Sequence, residues 1–236
     1  MCATIQIDFT KMIPWLPTFL EGTLVTIILS LITVILGTMV GLLVLASKQS
    51  DWRILKGVAG LYTTVIRGTP MLLQLFMWLY AFPLIGLVIP PLPFLGSLFG
   101  SREFLTAVLA LAINSGAYVA EILRGGLESI PKGQWEAGRS LGLSQGQTYR
   151  YILMPQAFKV ALPGLGNEFI TMIKESSIVS VVGVFDLMYT QNIVKSATYS
   201  LFEPLILVGL IYLILTTTLT GLMKGLEAKL NVHSQY

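Results

Sequence analysis

Long apolar runs separated by short polar stretches organise this chain of 236 residues. Five of the runs are long enough to cross a hydrocarbon core of about 30 Å as helices. They cover residues 20–46, 57–89, 104–123, 160–185 and 204–222. As one straight helix the second would be roughly 50 Å long, too long for a single span. Gly68-Thr69-Pro70 offers the break, because proline removes a helical hydrogen bond and crowds the preceding turn. The fourth holds Pro163, Gly164, Gly166 and the polar run Lys174-Glu175-Ser176-Ser177, which predicts a bent or discontinuous helix. Gly37-x-x-x-Gly41 in the first is suited to close approach by another helix. A loop rich in proline and glycine, residues 90–101, joins spans two and three.

Between spans three and four the pattern changes. Residues 131–155 read as two short helices with a stop between them. Pro131 suits a first turn, where its missing N–H would be unpaired anyway. Gly142 is the natural stop, since glycine enters the left-handed C-cap conformation at little steric cost. Ser144 with Gln147 then makes a capping box, and Pro155 bounds the second helix. A compact helix–glycine–helix elbow held between membrane spans is a docking element rather than a tether.

Composition agrees with the spans. Soluble domains carry about 25% charged residues, whereas here 11% are charged and 54% hydrophobic. The expectation is an all-α membrane protein, one transmembrane domain over residues 1–236. The net charge of +3 is explained by loop charges that set topology rather than by nucleic-acid binding. A single cysteine, Cys2, excludes an internal disulfide and a cysteine-based zinc site. A single histidine, His233, cannot build a histidine metal cluster. The first residues lack the basic stretch and cleavage pattern of a signal peptide, so the first span is expected to stay in the membrane.

Most of the fifteen basic residues fall on one side. Lys48, Arg53 and Lys56 follow span one. Arg124, Lys132, Arg139, Arg150 and Lys159 flank or occupy the elbow, and Lys224 and Lys229 lie in the C-terminal tail. The opposite side holds Lys11, Arg102 and Lys195. By the positive-inside rule the N-terminus is outside, and the elbow and C-terminus are cytoplasmic.

Ionisable groups at bilayer depth cost about 3 kcal/mol each on insertion scales, so each needs a partner or a wet cavity. Arg67 lies about 15 Å into span two, with Met71, Gln74 and Trp78 continuing its face if the break at Pro70 is small. Asn114, Tyr118 and Glu121 fall at i, i+4 and i+7 on span three, one polar stripe. Asn167, Thr171 and Lys174 form another on span four, beside Glu168 and Glu175. Aligned polar faces on three helices suggest a shared polar core or pathway. Arg67 and Glu168 place opposite charges near the midplane on two interrupted spans, where transporter folds tend to build their site. They either meet a ligand or pair with one another and brace the bundle. Glu121 has Arg124 three positions on and reads as a helix-surface ion pair or a ligand contact.

The motifs also carry a resemblance. Glu136-Ala137-Gly138, then Gly142, Ile152 and Met154-Pro155, resemble the "EAA" loop of ABC importer permeases, with Gly138 and Met154 departing from its usual alanine and leucine. Arg67-Gly68-Thr69-Pro70 with Gln74-Leu75, then Asn114-Ser115, Tyr118, Ala120-Glu121-Ile122 and Arg124-Gly125, resemble the polar amino-acid branch, the histidine, arginine and glutamine permeases. With Asn167-Glu168 and Lys174-Glu175-Ser176-Ser177 the likeness covers residues 57–191. It implies a type I importer fold with five transmembrane helices and a cytoplasmic coupling helix between spans three and four. It also implies a second permease subunit, two cytoplasmic ATPase subunits and an extracytoplasmic binding protein in a bacterial inner membrane. Trp135, Glu136, Ala137, Arg139, Leu141 and Gly142 would meet the ATPase. Arg67, Thr69, Gln74, Asn114, Tyr118, Glu121 and Glu168 would meet a polar amino acid. Arg67 suits its α-carboxylate, and Glu168 an ammonium or guanidinium. That favours a basic amino acid, with glutamine and cystine still open.

No Gly-x-x-x-x-Gly-Lys-Ser/Thr phosphate loop is present, so ATP and Mg²⁺ belong to a partner and no cofactor is expected on this chain. A proton-coupled secondary carrier is the alternative, with Glu121, Glu168 or Glu175 as relay. It leaves the elbow unexplained, and no internal repeat supports it. An intramembrane enzyme lacks the needed kit, since the intramembrane serines have no histidine to act as base.

Overall fold

In the computed structural model, which describes residues 7–230, every element is helical. Cys2 and His233 lie outside the described residues. A 3₁₀ turn, Phe9–Trp15, leads into α1 (Leu16–Gln49). Then come α2 (Arg53–Arg67), α3 (Met71–Phe76), a short α4 (Gly96–Phe99) and the long α5 (Arg102–Glu128). The elbow is α6 (Lys132–Ser140) and α7 (Gln145–Thr148), followed by α8 (Met154–Glu175), α9 (Leu187–Thr198) and α10 (Phe202–Lys229). Phe9–Gln49, Arg102–Glu128 and Phe202–Lys229 are each long and apolar enough to span alone. Arg53–Arg67 and Met71–Ile85 make a further broken span, bent by 107°.

The α1–α5 pair is the spine. A methyl added at Gly37 would sit 2.9 Å from Ser115 Cβ, and one at Gly41 2.6 Å from Val119 Cγ1. The Gly37/Gly41 pair is therefore what lets the two backbones touch. Leu29, Leu75, Leu111 and Val179 centre a core shared by α1, α3, α5 and the turn after α8. Phe19, Leu187, Val194 and Val208 make a second, joining α1, α9 and α10.

Several expectations need correction. The break at Pro70 is large, not small, so Met71 and Trp78 turn into the core instead of extending the Arg67 face. Pro131 is the N-cap of α6 rather than its first turn, with an extended ψ of 137°. Pro155 does not bound α7. A wide π turn over Tyr149–Leu153 carries the chain straight into α8, with Pro155 in its first turn, where a missing N–H is harmless. The α8 helix runs through Pro163, Gly164 and Gly166, and the discontinuity expected of this span falls at its polar run instead, in the 3₁₀ segment Ser176–Val182. Gly164 and Gly166 admit Ile122 of α5 and Met223 of α10 against the helix, which clamps it across the proline. Ser176, Ser177 and Ser180 donate to the carbonyls of Ile173, Lys174 and Ser177, and such local bonds compete with the regular helix ladder. The α9 helix has no counterpart among the expected elements. Asp186 caps it by accepting from the Tyr189 N–H at 2.8 Å.

Candidate functional site

The bend after α2 is held by one side chain. Gln74 Nε2 donates to the Ile66 carbonyl at 2.8 Å, the Thr69 carbonyl at 3.1 Å and Thr69 Oγ1 at 2.8 Å. Its Oε1 accepts from Asn114 Nδ2 at 3.1 Å, tying the bend to α5. Thr69 Oγ1 donates in turn to Val65 O at 2.9 Å. Thr69, Gln74 and Asn114 therefore use their polar atoms on one another and on backbone groups freed by the break.

The bend presents Arg67 to α5. Its guanidinium lies 5.3 Å from the Tyr118 ring centroid, a cation–π distance, and 3.8 Å from Glu121 Oε2. Glu121 has closer partners. Lys48 Nζ reaches its Oε1 at 2.5 Å and Arg124 its Oε2 at 2.9 Å. Lys48 also donates to Thr63 Oγ1 at 2.8 Å, and Arg124 to Glu128 at 2.6 Å. Arg67 is the loosest member, with 44% of its side chain exposed. Lys48, Arg67, Glu121 and Arg124 line a polar cavity of about 520 Å³ with Thr63, Thr64 and Gly68. Lys48 is the residue that sequence reasoning missed. The only available signal was depth, since Lys48 and Glu121 both lie toward the same end of their spans.

Glu168 lies elsewhere. It is buried between α8 and α5 and accepts from Ser115 Oγ at 2.8 Å. It does not pair with Arg67, so the two do not brace the bundle as a pair. Among the described residues no cation forms an ion pair with Glu168. Gln74 and Glu168 nonetheless reach α5 at consecutive positions, Asn114 and Ser115. Asn167 and Lys174, by contrast, are exposed on the outer face of α8.

The glycine stop and the capping box of the elbow are built as expected, although its two prolines are placed differently. Gly142 stands at φ +81°, Leu143 N–H bonds to Gly138 O at 3.2 Å and Gly142 N–H to Arg139 O at 3.0 Å, a Schellman close. The Ser144–Gln147 capping box is complete in both directions. Gly138, the departure from alanine, is explained by crowding: a methyl there would meet Thr148 Cγ2 at 2.6 Å. Glu136, Ala137, Arg139 and Leu141 are exposed, Leu141 by 79%. Trp135 is half-buried and lines a cavity of about 470 Å³ with Leu127, Lys132 and Tyr149. Burial pushes the Tyr149 phenol above its ordinary pKa.

Residues 37–232 match the family of binding-protein-dependent transport system inner membrane components. The chain belongs to this family. It is 40% identical over 226 residues to the arginine transport system permease protein ArtQ of Bacillus subtilis, covering 95% of this chain and 98% of that one. It is 34% identical over 229 residues to the glutamine transport system permease protein GlnP of Escherichia coli, covering 96% and 99%. A crystal structure of an amino acid ABC transporter with histidines superposes with a TM-score of 0.87 at 41% identity, covering 95% of this chain and all of that one. The MetNI methionine ABC transporter, at 19% identity over 92% of this chain and 98% of its own, shares the fold with a TM-score of 0.72.

The permease is thus a multi-pass inner-membrane subunit of an ABC importer with the type I fold, from the polar amino-acid branch. It is a transport component, not an enzyme, and nucleotide binding belongs to a partner ATPase. Membership also implies a substrate-binding protein as partner. A proton-coupled carrier is not favoured by these relatives.

Proposed function

We propose that this permease forms half of the pathway by which an ATP-driven importer takes up a basic L-amino acid, alternating between outward- and inward-open access. The observation that carries the substrate reading is Glu168, a carboxylate only 7% exposed that accepts from the neutral hydroxyl of Ser115. A buried carboxylate without a cation is costly, and a ligand ammonium or guanidinium would relieve that cost. Arg67, loosely held and open to the cavity, takes the α-carboxylate, with Tyr118 beside it. Thr69, Gln74, Asn114 and Glu121 position Arg67 rather than touch the ligand. The relative named as an arginine permease agrees with a cationic substrate.

Five spans are read from the five apolar runs, and an outside N-terminus with a cytoplasmic elbow and C-terminus from the charge distribution. The exposed polar stripe of Asn167 and Lys174 on α8 would be costly against lipid. That supports a second permease subunit, identical or related, closing the pathway there. At the elbow, Glu136, Arg139 and Leu141 with Trp135 and Ala137 would enter a groove on each of two ATPases, and Gly142 would keep the shape of the contact.

Uptake of labelled arginine, lysine and glutamine by the reconstituted transporter tests the substrate reading. With Glu168→Gln, arginine and lysine uptake should fall about tenfold or more at subsaturating substrate, because a hydrogen bond to a charged group contributes about 1.5–3 kcal/mol. Glutamine uptake should change little. An equal loss for all three, or no loss, would overturn it.

A further inference from the structure

The segment leading from α3 to α5 is a loop of unusual chemistry. No charged residue occurs between Arg67 and Arg102. The elbow at the other end of α5 is also a loop, yet it exposes Lys132, Glu136, Arg139 and Arg150. In the α3–α5 connection the exposed side chains are Leu84 at 87%, Ile85 at 72% and Phe94 at 80%, with Leu87, Val88 and Leu95 beside them. Residues 84–88 are exposed without interruption, so the tip shows its apolar groups on every side. A folded protein partner covers one face of a loop, whereas a fluid hydrocarbon wets all of them.

The backbone fits the same medium. Where water is absent, each unpaired N–H costs several kcal/mol, and this loop has few to leave unpaired. Pro83, Pro90, Pro91 and Pro93 carry no donor. Gly86, Leu87, Val88 and Leu95 donate to carbonyls within the loop, and Leu92 donates to Gly100 O at 2.9 Å. Length points the same way. Met71–Ile85 rises only about 20 Å at helical pitch, short of the about 30 Å hydrocarbon core. Exposed Tyr80 supplies an aromatic ring with a polar end, the kind that favours a membrane–water boundary.

We infer that residues 84–95 form a finger lodged in the lipid leaflet opposite the elbow, its apolar tip in the acyl region, rather than an aqueous loop. The partner is membrane lipid. This anchors to the bilayer the outer end of the half-span that follows Arg67 and Pro70, while Leu75 and Leu79 hold its inner end in the bundle core.

The test uses the full transporter, permease with its ATPase, in phosphatidylcholine–phosphatidylglycerol vesicles. Nitroxide labels go on single cysteines replacing Leu84, Leu87 or Phe94, with Cys2→Ser, and on Asp51→Cys, exposed in the polar loop between α1 and α2, as the aqueous reference. Collision with oxygen over collision with a water-soluble nickel chelate should be several-fold higher at 84, 87 and 94 than at 51. A ratio as low as at 51 would make the loop aqueous. Suppressed collision with both, accompanied by spin–spin coupling, would assign it to a second copy. Suppressed collision without coupling would assign it to another protein. Each of these overturns the inference. If a label perturbs folding, quenching of an added Leu84→Trp fluorescence by brominated lipid, relative to the parent, gives the same decision.

Discussion

Glu121 and Glu168 both reach α5 within the membrane part of one subunit, yet Glu121 is surrounded by Lys48, Arg124 and Arg67 while Glu168 has a serine. The first is self-sufficient. Its two close cations satisfy both oxygens, and one of them, Lys48, joins the end of α1 to α5. Arg67 is therefore a surplus charge, held at 3.8 Å and partly exposed. Glu168 is the complementary deficit, a buried carboxyl group with no ion-pair partner among the described residues. Under the proposed function, one positive and one negative group left without a full partner beside α5 would complement the two charged ends of a basic amino acid. The difference teaches that in a membrane interior the incomplete pair, not the complete one, is where a charged ligand belongs.

Breaking the complete side should do the most damage. Glu121→Gln leaves Lys48, Arg67 and Arg124 facing one another without their shared carboxylate. Because Arg67 and Arg124 are 44% and 37% exposed, the cost falls below the buried-pair limit, at about 2–3 kcal/mol. Thermal unfolding of the detergent-solubilised permease should show a larger downward shift for this variant than for Gln74→Leu, Glu168→Gln or Lys48→Met. An unchanged midpoint would mean that water in the cavity already screens the cluster. Gln74→Leu comes next. It removes the donor that serves Ile66 and Thr69 and the acceptor for Asn114, a loss of about 2 kcal/mol. Arg67 should lose its fixed place, so affinity for every amino acid substrate should drop together, measured by substrate-stimulated ATPase activity. Glu168→Gln should separate stability from function. Removing a buried uncompensated charge should leave the unfolding midpoint equal or higher while uptake of cationic substrates falls. A lower midpoint would show that Glu168 braces the bundle and would erase the contrast with Glu121.

Much of this was legible because membrane helices announce themselves by length and apolarity. The elbow was equally clear, since Gly142, Ser144 and Gln147 act within a few residues of one another and local rules suffice. The stripe of Asn114, Tyr118 and Glu121 was readable from helical spacing. What depended on tertiary packing was not. Lys48 and Glu121 are far apart in sequence, and nothing local couples them. Glu168 sits next in the chain to Asn167, yet one is buried against Ser115 and the other exposed, a choice made by how α8 packs on α5. The size of the bend at Pro70 depends on Gln74 finding Ile66 and Thr69. Proline marks the break without stating its angle. At Pro163 the same rule pointed to a break that packing by Ile122 and Met223 removes.

The smallest effect is the most diagnostic. Lys48→Met removes one of Glu121's close cations but keeps Arg124, so the stability loss should be about 1 kcal/mol, as for partly exposed pairs. Glu121 would then resemble Glu168 more closely, with an oxygen short of a partner, and Arg67 is the cation nearest to take it. An Arg67 drawn from the cavity onto Glu121 is less available to a ligand carboxylate. Substrate affinity should therefore weaken a few-fold, although Lys48 touches no substrate. Adding Glu121→Gln to Lys48→Met should release Arg67 again and restore part of that affinity, a non-additivity that a double-mutant cycle reads directly. Strict additivity of the two substitutions would mean that Arg67 is not shared between Glu121 and the ligand, and the surplus-charge account of the site would fail.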